Sequence, residues 1–223
     1  MTTQQAVVVR ARRGVRITQY GPLRISFDDR VLEPRPWTAV QGRWARQLTE
    51  VVPEGPVLEL CAGAGQIGML AVHGTERDLV SVDSSPAACS FIRANARSAG
   101  MVDRIDVRNA RVVDGCRPDE RFPLIIADPP WVPRSQTGQF PSDPLDAING
   151  GSDGLAVARQ CLAVIADRLE LEGVALLQLG SVDQIAALAR ELPAGLVMNE
   201  YRAERGCGAV VKIVAVDPGT QRH

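Results

Sequence analysis

The sequence predicts an α/β fold, doubly wound around a mostly parallel seven-stranded sheet that finishes in an antiparallel hairpin. Three observations carry this expectation. Pro56-Val57-Leu58-Glu59-Leu60 has the composition of a buried strand and runs directly into a glycine-rich turn and a helical stretch, the opening unit of a doubly wound domain. Further short apolar runs alternate with amphipathic segments, as strands and covering helices do when the strands lie parallel. The last two apolar runs are joined through Glu204-Arg205-Gly206-Cys207-Gly208, too short to cross over to a parallel neighbour, so the final strand is expected to run antiparallel to its partner.

Taken in order, residues 6–18, broken at Gly14, and Leu23–Phe27 read as short strands, a β-rich extension over residues 1–30 ahead of a main domain at 31–223. Arg10, Arg12, Arg13 and Arg16 make it the most basic part of the chain, either a solvated edge hairpin or a flap that steers an anionic substrate. Val31 to Thr38 is expected to be rigid and extended, because Pro34 and Pro36 restrict the residues before them, and to feed a helix from about Ala39 to Val51. Beyond the strand at 56–60, the turn Cys61–Gly68 leads into helical Met69 to Val72. Leu79–Asp83 is a second buried strand, Pro86–Ala99 a helix capped by Ser84 or Ser85, and Arg104–Arg108 a third strand. A polar stretch at 111–123 precedes the fourth strand, Leu124–Ala127. Residues 132–151, with prolines at 133, 141 and 144, form a long loop of the lid or recognition kind. Ser152-Asp153 is expected to cap a helix whose Leu155, Ala158, Leu162, Ile165 and Leu169 recur at helical spacing. Val174–Leu179 is a fifth strand, Val182–Glu191 a helix, and Leu196–Arg202 with Ala209–Val216 the closing hairpin.

A net charge of −1 announces no polybasic tail. Lys212 is the sole lysine among 25 cationic residues, a bias that fits a GC-rich genome better than a phosphate-binding need. The five cysteines contain no C-x-x-C pair, so free thiols in a reducing cytoplasm are expected, with neither a disulfide framework nor a zinc site. His73 and His223 are the only histidines, which argues against histidine-dependent catalysis and histidine-rich metal sites; no metal is expected. No run approaches the length of a membrane span and the N-terminus lacks a signal-like apolar region, so a cytoplasmic location away from membranes is expected.

The chemistry gathers at the carboxyl ends of the strands, where doubly wound sheets bind ligands. Gly63-x-Gly65-x-x-Gly68 with Asp83 ending the next strand satisfies a dinucleotide fingerprint, in which the acid accepts from ribose hydroxyls, and alone it would point to a nicotinamide oxidoreductase. The fourth strand, however, delivers Asp128-Pro129-Pro130-Trp131 to the same edge. Two prolines remove amide donors and leave acceptors, the Asp128 carboxylate and the carbonyls around Pro129, beside a flat indole. Such a site suits a planar NH2 group held by both hydrogens, which a nicotinamide enzyme leaves unexplained.

These residues resemble the class I S-adenosylmethionine-dependent methyltransferases, a Rossmann-like family, and in particular its small-domain, HemK-type amino-methyltransferases. Val57–Gly65 resembles their first motif, Asp83 their ribose acid, Asn109-Ala110 the position beside the adenine, and Asp128–Trp131 their fourth motif. Val31-Leu32-Glu33-Pro34-Arg35-Pro36-Trp37-Thr38 and Asn149-Gly150-Gly151-Ser152-Asp153-Gly154-Leu155 resemble two stretches of the HemK type. The resemblance implies S-adenosylmethionine as cofactor, held by Glu59, Cys61, Gly63, Gly65, Asp83, Ser84, Asn109 and Ala110. It implies Asp128, Pro129, Pro130 and Trp131 as catalytic residues, with Arg35, Trp37 and Thr38 at the substrate. The reaction implied is N-methylation of a planar nitrogen, first of a protein glutamine side chain as in release-factor-like substrates; the alternatives are an RNA or DNA amino group and a non-catalytic methyltransferase-like subunit. Cys61 stands where the family usually has glycine, Glu59 where it often has aspartate, and Asp128 where glutamine-methylating members have asparagine. The helical substrate-docking domain of bacterial release-factor methyltransferases has no counterpart in the sequence, which leaves its place open to a helper subunit.

Overall fold

The structure, a computed structural model, describes residues 9–10, 14–203 and 207–216. Two sheets form. A small one orders β1 (Val9–Arg10), β2 (Arg16–Tyr20) and β3 (Leu23–Phe27). The large one contains β4 (Val57–Leu60), β5 (Leu79–Asp83), β6 (Ile105–Asn109), β7 (Phe122–Ala127), β8 (Leu169–Leu179), β9 (Leu196–Ala203) and β10 (Ala209–Ala215), in the order β6-β5-β4-β7-β8-β10-β9. Strands β4 to β8 pair in parallel, and β10 lies between β8 and β9, antiparallel to both. The seven-stranded sheet and its closing hairpin are as the sequence predicts. The reversal of strand order falls at β4, between β5 and β7, which opens a crevice at their carboxyl ends.

Helices α1 (Ala39–Leu48), α2 (Gln66–Val72) and α3 (Pro86–Ser98) cover one face; α5 (Ala156–Arg168) and α6 (Val182–Ala189) cover the other, and a single turn, α4 (Leu145–Ile148), sits in the loop after β7. The alternation of β7 shows why its run is wholly apolar: Leu124 and Ile126 enter the first core, Ile125 and Ala127 the second. The β2–β3 hairpin is not a solvated extension. Tyr20, Leu23, Ile25 and Phe27 are buried in the first core, each worth about 1.5–3 kcal/mol, while Arg24 points outward.

Four local expectations change. Pro36–Thr38 is a 3-10 turn rather than extended chain, because Pro36 sits at its first position, where no amide is needed. Ser152 and Asp153 do not cap α5: Leu155 occupies that position, and Asp153 instead accepts from the Leu155 amide and pairs with Arg159. Strand β8 starts at Leu169, directly after α5, and bends at Glu172, whose φ of 67° marks a bulge where the register with β7 shifts. Residues 134–139 form a 3-10 turn inside the supposed loop. Of the basic N-terminal cluster, Arg12 and Arg13 lie outside the described residues. Arg16 is committed internally, pairing with Asp29 at 2.8 Å and Glu33 at 3.0 Å over the Phe27 ring, and so is not free to steer an anion.

Candidate active site

A cleft of about 790 Å³ opens at the carboxyl ends of β4, β5, β6 and β7, in the size range of small-molecule sites. One wall grows from the first strand–turn–helix unit. Cys61 and Gly63 adopt left-handed φ values of 57° and 56°, and Gly65, with φ of 81°, starts α2. A left-handed conformation costs a residue with a Cβ about 1–2 kcal/mol, which explains why glycine is usual at the position of Cys61. Gly68 is needed for another reason: a Cβ there would come within 2.4 Å of Glu59.

Asp83 organises this wall. Its two carboxylate oxygens accept from the Gly63 amide and the Ser85 amide, both at 2.8 Å, so the acid at the end of β5 also fixes the glycine turn. Burial raises its pKa. Each oxygen keeps a lone pair free, and Gly63 has open space where a side chain would stand, so a vicinal diol fits here.

Cys61, Gly63, Asp83, Ser84 and Ala110 all line the cleft. Glu59, Gly65 and Asn109 do not. Glu59 is only 1% exposed and accepts from the Gly68 amide at 2.6 Å and the Ser81 hydroxyl at 2.9 Å, with burial pushing its pKa up to about 7. It anchors α2 to the sheet rather than facing a ligand. Gly65 packs against Ile92, and Asn109 spends its amide on the Asp83 carbonyl. Arg111 and Val112, absent from the sequence expectation, follow Ala110 along the wall.

The opposite wall holds Asp128, Pro129, Pro130 and Trp131. Among the described residues no group donates a hydrogen bond to the Asp128 carboxylate, and burial alone pushes its pKa up to about 7. The carboxylate is enclosed by protein yet turned to the cavity. The indole of Trp131 rests on the backbone of β8's end, where a Cβ on Gly180 would lie 2.3 Å from the ring. Gln184 clamps the same segment, donating to the Trp131 carbonyl at 2.9 Å and the Asp153 carbonyl at 3.2 Å while accepting from the Gly180 amide at 2.8 Å. Gly154, with φ of 79°, leaves room for that carbonyl, and Val132 exchanges backbone bonds with Ile148 and Gly150. The Asn149–Leu155 stretch therefore serves as a buttress for Trp131. From the other face of the sheet, fully buried Gln41 donates to the Ala127 carbonyl at 3.0 Å and the Leu176 carbonyl at 3.1 Å.

Arg35, Trp37 and Thr38 also reach the cleft, but two of the three are already occupied. Arg35 holds both oxygens of Asp143 at 2.7 Å, tying the loop after β7 across the mouth. The Thr38 hydroxyl donates to the Arg35 carbonyl and accepts from buried Tyr20, whose pKa burial raises. Trp37 is the one left to meet a substrate. The glutamines and Asp143 have no signature in the sequence; only the glycines that make room for Trp131 carry one.

Strand order, the crevice at the reversal and the Asp-Pro-Pro-Trp wall define the class: the chain is a class I methyltransferase in fold. The family model described as Conserved hypothetical protein 95 matches residues 35–139. The release factor glutamine methyltransferase of Mycolicibacterium smegmatis is 31% identical over 66% of this chain and 53% of its own length. The ribosomal protein uL3 glutamine methyltransferase of Bordetella pertussis is 28% identical over 70% of this chain and 55% of its own. The chain thus spans a little over half the length of these relatives. Among solved structures, the ribosomal protein L11 methylase from Lactobacillus delbrueckii subsp. bulgaricus superposes with a TM-score of 0.62 at 14% identity, covering 93% of this chain and 98% of that one. The chain thus resembles glutamine methyltransferases in sequence and the ribosomal protein methylase in fold. No helix among the described residues is long and apolar enough to cross a membrane.

Proposed function

We propose that the protein is an S-adenosylmethionine-dependent N-methyltransferase whose acceptor is the side-chain amide of a glutamine in a polypeptide. The observation that carries this reading is the Asp128 carboxylate beside the Pro129 carbonyl, an acceptor pair to which no group among the described residues donates. Gly63, Asp83, Ser84 and Ala110 would hold the cofactor, with Asp83 taking the ribose hydroxyls. When bound, S-adenosylmethionine supplies an electrophilic methyl group.

The protein's own part is positioning and charge. An amide nitrogen is a poor nucleophile because its lone pair is delocalised into the carbonyl. Asp128 and the Pro129 carbonyl accept its two N–H hydrogens, which favours a pyramidal nitrogen and offsets the positive charge that grows there. Trp131, held from behind by Gly180 and Gln184, presents a fixed plane against the planar amide. The ionised form of Asp128 is the one that accepts both hydrogens well, so the reaction gains as pH rises through about 7.

Charge around the cleft favours a polypeptide over a nucleic acid. Its arginines are all engaged: Arg30 with Asp28, Arg35 with Asp143, Arg111 with Asp114. Asp83, Asp128 and Asp146 also line it, leaving little to neutralise a phosphate backbone. Incubation with labelled S-adenosylmethionine and cell extract tests this: label removed by protease and resistant to nuclease is expected, and the converse would replace the polypeptide by a nucleic acid.

A further inference from the structure

A second cavity of about 290 Å³ adjoins the cleft, and Trp37 and Gln178 belong to the walls of both. Its remaining walls come from Val40 of α1 and from the closing hairpin, chiefly Arg202, Ala209 and Val210. The sheet fixes where it lies. Ala127 pairs with Leu177, so Asp128 and Gln178 stand side by side at the ends of β7 and β8; Gln178 pairs with Val210, and Val210 with Arg202. Neighbouring strands are about 4.8 Å apart, so the cavity begins about 5 Å from the Asp128 position and ends about 15 Å away along the sheet's edge. An extended peptide advances about 3.3 Å per residue and covers that distance in about two to four residues.

We infer that this cavity is a specificity subsite for an aromatic side chain of the polypeptide substrate, about three residues from the methylated glutamine. The inference rests on the polypeptide reading above. Three features select the occupant. Trp37, Val40, Ala209 and Val210 give an apolar lining, and the volume accommodates one large side chain. Arg202 forms the far wall with its guanidinium carbon over the Trp44 ring, 3.9 Å from the centroid, and a cation that lines the cavity while held on one ring suits a second ring as its neighbour. Its ion pair with Glu200 is long, at 3.6 Å, so that orientation comes from stacking more than from the salt bridge. Gln178, 3% exposed, donates to the Leu179 carbonyl at 3.1 Å and the Cys207 carbonyl at 3.4 Å, and among the described residues its amide oxygen receives no donor. Placed at the seam, that oxygen suits a backbone N–H of the peptide passing between the sites. Gly208 is required for this floor: its φ is 81°, and a Cβ would lie 2.5 Å from the Gln178 amide nitrogen.

The probes are three nine-residue peptide amides of glycine and alanine with one central glutamine, two of them carrying a tyrosine three residues before or after it. Each is incubated with the protein and labelled S-adenosylmethionine, and compared between the natural chain and Val40→Trp, whose added ring fills the cavity from α1. Calorimetry with S-adenosylmethionine reports whether the variant keeps its cofactor site, and Val40→Phe offers a milder filling should the first not fold. One tyrosine peptide is expected to be labelled at least tenfold faster than the plain peptide, with the advantage lost in the variant and cofactor affinity within twofold. Equal labelling of all three by the natural chain, or an advantage that survives filling, would overturn the subsite while leaving the amide reading intact. Labelling of none, with cofactor bound normally, would overturn both.

Discussion

Replacing Asp128 by asparagine tests the site at its most exposed assumption, that the acceptor carboxylate is disfavoured as an ion until a substrate arrives. Burial raises its pKa from the ordinary 3.8 to about 7. The folded protein therefore binds this proton more tightly than the unfolded chain does, so the stability the protonated carboxyl contributes is complete below about pH 4 and lost as pH rises through about 7. In the fully buried limit that difference is worth about 4 kcal/mol. Water in the open cleft screens the charge, and about 1–2 kcal/mol is the reasonable share. Asp128→Asn removes the ionisation and keeps the shape. It should unfold at a temperature about 2–8 °C above the natural chain at pH 8, since 1 kcal/mol moves the midpoint of a chain this long by about 2–4 °C. At pH 5 the gap should narrow to a minor part of that. Thermal melts at the two pH values read it directly. The same gap at both would show that the carboxylate titrates normally and that the cleft does not hold it in reserve. Methyl transfer by the natural chain should fall about tenfold per pH unit well below 7, whereas the variant, slower throughout, should lose that slope.

Asp128→Ala should abolish transfer while S-adenosylmethionine still binds by calorimetry; near-normal turnover would remove Asp128 from the chemistry. Asp83→Ala should weaken the cofactor by at least tenfold, since it loses both the diol contact and the Gly63 anchor, and unchanged affinity would count against the ribose role. Gly180→Ala, which must push the Trp131 ring away from the strand end, should lower kcat by tenfold or more with cofactor affinity within twofold. Asp143→Asn should raise the acceptor KM several-fold by loosening the loop that Arg35 holds across the mouth, at a stability cost near 1 kcal/mol in urea unfolding.

The fold was legible because its signals are local. Strand β5 was placed to the residue, and β4, β6 and β10 to within one, because short apolar runs between glycine, proline and acidic residues have few alternatives. The contact between Gly63 and Asp83 is legible for a similar reason, since the spacing of glycine and acid records the backbone geometry that joins them. Glu59 was misplaced because its position in the motif says that it is close to the turn but not which side of the strand it faces. Alternation along β4 puts Glu59 on the side of α2, at the amide of Gly68, and Cys61 leaves that alternation beyond the strand's end, where its φ of 57° turns the chain to the cleft. Arg35 and Thr38 were misjudged for a different reason. Their partners, Asp143 and Tyr20, lie 108 and 18 residues away, and nothing in a linear pattern records a partner on another element.

The contrast between the two walls explains why the acceptor is harder to read than the cofactor. The wall that carries Gly63 and Asp83, proposed for the cofactor, is one continuous unit, β4 through β5, so its geometry survives in sequence spacing. Asp128–Trp131 takes its shape from three separate places: Gln41 of α1 beneath Ala127, Gly180 after β8 beneath the indole, and Gln184 of α6 at the Trp131 carbonyl. None of these contacts touches the reacting nitrogen. Together they decide whether the Asp128 carboxylate and the indole plane face one amide at the same time, and a shift of about 1 Å at any of them would cost turnover without loosening the cofactor. On the proposed reading, turnover therefore depends on the two helices and the strand end that aim the motif as much as on its four residues.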